Sequence, residues 1–304
     1  MNRPNHSFLR SLRYERVHHF EVNFSIHYDG LGIRVNNPNL LTKSADILDC
    51  GESTAWGFGL ENEATFASIL GRQANLSVAN ASIPGAGPAT CYRQFMRLAP
   101  ILKPKYMVLY WWAADHEVNV RRCAGADVPY CFSIDRIAPA PDGGLRFDFV
   151  DPAQAARNWT LMKRWYRETT TASGRMGSFW TDVFWTQFVW GQEILNAIGY
   201  FLPDRSADEK EAATFLMANF AKLAKDNGAR PVVVYVPWFY SPSAPNFADV
   251  ARALSVDFVS TEPLFEKLKN DQVDFMYPDG HLNAAGHATL GNYLHKWGQA
   301  QKLW

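Results

Sequence analysis

Three side chains far apart in the chain have the types that nucleophilic acyl chemistry needs. They are Ser53 in Gly51-Glu52-Ser53-Thr54, and Asp279 and His281 in Asp279-Gly280-His281. A serine hydroxyl is too weakly acidic to attack a carbonyl at neutral pH unaided, and a histidine oriented by a carboxylate is the base it requires. Asp279 and His281 are spaced so that their side chains meet if the loop between them turns. Taken alone, Ser53 has a plainer reading. An apolar run, then Gly-Glu-Ser-Thr, then a helical segment is also how a helix N-cap looks. His287 and His295, on the helix expected after Asn283, read as packing or surface residues.

Four short apolar runs must position these groups: residues 45–50, 76–81, 105–112 and 230–238. Their near-continuous hydrophobicity suits parallel strands covered on both faces. Helical segments are expected over 62–73, 89–102, 152–169 and 208–227, the last closed by Gly228, and from Ala284 or Gly286 to Trp297. The alternation implies an α/β fold, an open doubly wound sheet with its ligand crevice beyond the carboxyl ends of the strands. The residues after each run therefore matter most. After the second run, Asn80 to Pro88 holds Gly85 and Gly87, where a sharp turn can aim a backbone N–H into the crevice as an oxyanion donor; a plain tight turn fits equally well.

These blocks together resemble the SGNH hydrolases, also called the GDSL esterase family, in a bacterial branch like that of cell-surface polysaccharide pathways. Gly51, Glu52, Ser53 and Thr54 match the first family block, Asn80 and Gly85 the second, and Asp279 with His281 the last, in order over residues 45–297. The resemblance implies a flavodoxin-like three-layer α/β/α sandwich with a mostly parallel sheet. It also implies catalysis by Ser53, Asp279 and His281, with Ser53 and Gly85 N–H groups in the oxyanion hole. Two positions depart from the pattern. Glu52 stands where the family has Asp, a largely structural position, and Ala114 stands where it has an oxyanion-hole Asn, followed by Asp115. His116 and Asn119 are the candidate substitute donors, since a methyl group donates no hydrogen bond.

The implied function is a serine esterase cleaving a short O-acyl ester, with a carbohydrate as the expected alcohol. An O-acyltransferase with the same triad and a catalytically silent SGNH-fold binding module are the alternatives. Trp56, Trp112, Trp180 and Trp185 are candidates for binding substrate, while packing of an inserted helix on the core is the plainer account of the aromatic cluster at 180–190. The 304 residues carry 30 basic and 30 acidic side chains, a formal net charge of zero, so no global field favours nucleic acid. No cofactor or metal is implied, for no His, Cys or carboxylate cluster has ligand spacing. No apolar run is long enough to span a bilayer. The chain reads as soluble, in the cytoplasm or in a bacterial envelope with any anchor removed. Residues 1–40 read as an N-terminal arm on the core and 41–304 as the hydrolase domain, with an insertion at about 120–205. Cys50 and Cys91 read as core residues, and Cys123 and Cys131, flanking one loop, are the pair considered for a disulfide.

Overall fold

The structure is a computed structural model, and it describes residues 15–19, 22–37, 39, 41–84, 87–112, 135–151, 206–237, 247–268, 275–276 and 281–304. Five parallel strands form its centre: β4 (Ile47–Cys50), β5 (Val78–Asn80), β6 (Tyr106–Trp112), β9 (Arg230–Val236) and β10 (Asp257–Ser260). Across the sheet they run β5-β4-β6-β9-β10, which is the flavodoxin-like order 2-1-3-4-5. Successive connections leave β4 in opposite directions, so a crevice opens at its carboxyl end, between β4 and β6.

The segment expected to be an arm does more than pack on the core. Within it β1 (Glu15–His19), β2 (Val22–Tyr28) and β3 (Arg34–Val35) pair antiparallel and extend the sheet beyond β5 to eight strands. Part of the expected insertion is a separate two-stranded hairpin, β7 (Arg136–Pro139) and β8 (Leu145–Asp148). It seats Phe147 against Tyr92 at a ring separation of 4.2 Å. The expected helix at 152–169 and the aromatic cluster at 180–190 lie outside the described residues.

Residues along each parallel strand alternate between two helical layers, which is why these strands are mostly apolar. Leu48, Cys50, Met107, Leu109, Trp111 and Val233 face α3 (Pro88–Leu102), α4 (Ser206–Asp226) and α5 (Phe247–Ala253). Ile47, Val108, Tyr110 and Val234 face α1 (Ser53–Trp56), α2 (Phe66–Ala74), α6 (Glu262–Leu268) and α7 (Ala284–Ala300). The result is a three-layer α/β/α sandwich.

One covalent tie differs from the sequence expectation. Cys50, at the end of β4, and Cys91, in the first turn of α3, form a disulfide with their Cα atoms 5.4 Å apart. Both are buried. The sequence reads them only as core residues, since the forty intervening residues return the chain to the neighbouring layer and spacing carries no such information. Cys123 and Cys131 lie outside the described residues.

Candidate functional site

The chain leaves β4 at Gly51, where it passes too close to β6 for a side chain. A Cβ there would lie 2.5 Å from the Ala55 Cβ and 2.8 Å from the Tyr110 Cβ. The turn opens α1, and its cap is not Ser53 but Glu52. The Glu52 carboxylate accepts the Thr54 N–H at 2.7 Å through Oε1. Ser53 is the first helical residue, and its hydroxyl is thereby released from capping. Gly57, at φ 89°, ends this single turn by donating its N–H to the carbonyls of Ser53 and Thr54.

So short a helix needs external support, and a row of polar side chains across the sheet supplies it. Arg34, Asn80 and Asp49 are register neighbours on β3, β5 and β4. Asn80 donates through Nδ2 to the Ala55 carbonyl at 3.0 Å. The Arg34 guanidinium donates to the carbonyls of Trp56, Gly57 and Leu60, the contact to Gly57 measuring 2.8 Å. Burial of this cation, which costs solvation, lowers its pKa to about 10. Asp49 completes the row with a carboxyl that is fully buried, and burial raises its pKa well above the ordinary carboxylate range.

His281 arrives from the C-terminal side of the sandwich. It sits beside the isolated bridge between Met276 and Leu282 and just ahead of α7, whose N-cap Asn283 accepts the Gly286 N–H at 3.0 Å. Its Nε2 lies 2.8 Å from the Ser53 Oγ, although the two residues are 228 positions apart. The Ser53 hydroxyl is also in hydrogen-bond contact with Glu52 Oε2.

The second histidine of this motif, His287, has a structural task. It is fully buried, its Nδ1 accepts the Phe66 N–H at 3.0 Å, and its ring stacks on Phe66, so it binds α7 to the start of α2. Burial, with added repulsion from Arg34 and His281, pushes its pKa down to about 3. The unfolded chain, with an ordinary histidine pKa of about 6.5, binds a proton that the folded chain refuses. Its contribution to stability is therefore complete above about pH 6.5 and is lost as the pH falls towards about 3. Urea midpoints measured across this range should fall with pH in the wild type. In His287→Gln, which keeps an acceptor for Phe66, the fall should be shallower.

Phe58 is a site residue that sequence reasoning missed. Its ring stacks on His281 at 4.4 Å and 28°, while Phe24 and Trp56 back it from the other side. Gly57 and Gly59, both at positive φ, present it. A lone aromatic between two glycines directly after the Gly51-Glu52-Ser53 turn is the available signal.

The proposed oxyanion loop departs from the same place. Gly51 N–H donates to the Ser82 hydroxyl at 3.0 Å, and Ile83 N–H donates to the Gly51 carbonyl at 3.0 Å. The chain between Asn80 and Gly85 is thus fastened to the turn that carries Ser53. Gly85 itself, Asp279, Ala114, Asp115, His116, Asn119, Trp180 and Trp185 lie outside the described residues. The two candidate tryptophans among the described residues, Trp56 and Trp112, belong to the core rather than to an open crevice. Trp56 is buried and donates its indole N–H to the Tyr28 hydroxyl at 2.6 Å. Trp112 is buried against Phe265.

Among the described residues, no group of three or more His, Cys, Asp or Glu side chains is arranged to hold a metal ion, and no helix is long and apolar enough to cross a membrane.

No family model matches the chain, and no curated protein does. Among solved structures, the chain is similar to TesA at 18% identity and TM-score 0.43, over 85% of this chain and 99% of that one. It is similar to the psychrotrophic esterase EstA from Pseudoalteromonas sp. at 10% identity and TM-score 0.45, over 84% of this chain and 97% of that one. A GDSL-like lipase from Parabacteroides merdae is similar at 11% identity and TM-score 0.43, over 87% of this chain and 99% of that one.

Proposed function

We propose that this chain is a serine hydrolase of the SGNH type acting on carboxylic esters. The observation that carries the reading is the 2.8 Å approach of His281 Nε2 to Ser53 Oγ at the switch point of a doubly wound sheet. His281 takes the Ser53 proton as Oγ attacks the ester carbonyl, and the carbonyl π pair moves onto its oxygen. The imidazolium then returns that proton to the departing alkoxide, leaving an acyl-enzyme, which water cleaves by the same steps. Asp279 orients the ring. The N–H groups of Ser53 and Gly85 stabilise the oxyanion, and the Ser53 N–H suits this because the first donors of a helix have no acceptor within it. The short acyl group and the carbohydrate alcohol rest on the resemblance of residues 128–147 to polysaccharide-pathway members of that family.

The Cys50–Cys91 disulfide supports maturation in an oxidising compartment, where such bonds form and persist. The test of the activity is incubation with a fluorophosphonate probe and, separately, with p-nitrophenyl acetate, using wild type and Ser53→Ala. Labelling confined to Ser53 and nitrophenol release by the wild type alone are expected. A wild type that neither labels nor outpaces the variant refutes the reading.

A further inference from the structure

Two hydrogen bonds converge on the Ser53 hydroxyl, one shared with Glu52 Oε2 and one with His281 Nε2 at 2.8 Å. Two such bonds need two protons. Serine owns one; the second must sit on Glu52 or on the imidazole. If Ser53 donates to a Glu52 carboxylate, Nε2 must carry a proton and point it at Oγ, and then it cannot accept. If Ser53 donates to Nε2, the carboxyl group of Glu52 must be the protonated partner. Only the second arrangement lets His281 take the serine proton.

Capping alone does not explain the contact. The cap uses Oε1, which holds the Thr54 N–H at 2.7 Å and so fixes the carboxyl group in place. That leaves Oε2 aimed at the nucleophile. Aspartate is shorter by one methylene, so an aspartate held by the same cap would draw its second oxygen back from Oγ. Glu52 is 9% exposed, so little water competes for the contact.

We infer, on the basis of the serine-hydrolase reading above, that Glu52 is a catalytic residue as well as a helix cap. Its second oxygen, the Ser53 hydroxyl and His281 Nε2 form one proton-sharing unit, in which Glu52 competes with His281 for the serine proton.

The other titratable groups on the elements packed here do not supply this effect. Arg34 on β3 stays charged below about pH 10, and His287 on α7 stays neutral above about pH 3. On the sheet, burial favours the neutral forms of Tyr110 on β6 and Asp49 on β4. Asp279 precedes His281 in the chain and is unchanged in every variant below.

The test compares kcat/KM against pH for p-nitrophenyl acetate in wild type, Glu52→Gln and Glu52→Asp. Glutamine keeps the cap through its amide oxygen, can donate an N–H to Oγ, and carries no charge. Glu52→Gln, whose amide donates to Oγ and so leaves the serine proton to Nε2, should raise kcat/KM severalfold near neutral pH. This ratio should rise in Glu52→Asp too, where the second carboxylate oxygen is withdrawn from Oγ. A wild type labelled by the fluorophosphonate at Ser53, with all three profiles superimposed, overturns the role of Glu52 and leaves the hydrolase reading standing. A wild type that is not labelled overturns both. Should a variant fail to fold, the other carries the comparison, because both are expected to shift in the same direction.

Discussion

Replacing His281 with alanine is expected to lower kcat by about a millionfold, with little change in stability. In serine hydrolases of this logic, loss of the nucleophile or of its base alone removes nearly all of the triad's contribution, because neither works without the other. Here the proposed base is the group in contact with the serine hydroxyl. His281 Nε2 is 2.8 Å from Ser53 Oγ and reaches it from the far end of the chain. The ring is half-buried and rests on Phe58, so its removal leaves the α7 cap at Asn283 and the His287 tie to α2 intact. Thermal unfolding should therefore report a folded protein while burst and steady-state kinetics report an inactive one. The double variant Ser53→Ala/His281→Ala should be no slower than either single variant. A loss smaller than about tenfold in His281→Ala would mean that another group serves as the base, or that chemistry does not limit turnover.

Removing the Cys50–Cys91 disulfide is expected to cost about 4 kcal/mol of stability, about a thousandfold in the unfolding equilibrium, from the entropy regained by the unfolded chain. The two cysteines are 41 positions apart in sequence, long enough for the constraint on the unfolded chain to be large. Both residues are buried in the layer between the sheet and α3, so a reductant should reach them only on unfolding. The check is urea unfolding of wild type against Cys50→Ala/Cys91→Ala, with intact mass before and after reduction under denaturing conditions to count the bond. An unchanged midpoint would show the bond absent from the protein in solution. The location makes the result bear on function as well. Cys50 immediately precedes Gly51-Glu52-Ser53, and Cys91 lies in the first turn of the helix that follows the proposed oxyanion loop, so this one bond fastens both loops of the site.

Strands β4, β5, β6 and β9 were legible as near-continuous apolar runs because a parallel sheet covered on both faces leaves few polar positions in the pattern. Strands β1, β2 and β3 were not legible. They are antiparallel, mixed in polarity, and formed only because β5 offers an edge to pair with. β10 is short and begins and ends on polar residues, Asp257 and Ser260, so it shows no apolar run. Trp56 shows the same limit from another side. An indole beside the nucleophile suggests a binding platform, yet Tyr28, Arg34 and Phe24 converge on it from strands the sequence did not announce.

The chemistry-bearing types were determined by the sequence itself: a serine after a strand, a histidine before the last helix, and a glycine at Gly51 where β6 leaves no room for a side chain. Local order and spacing encode such elements because helices and strands are built from neighbours along the chain. Only the tertiary structure decided which groups meet. It made Glu52 the cap and turned its other oxygen to Ser53, brought His281 to that same hydroxyl, set Phe58 against the imidazole, and paired Cys50 with Cys91. Each of these contacts depends on how α1, α3 and α7 are laid on the sheet, and the 2-1-3-4-5 strand order that lays them there comes from burying both faces of the sheet together.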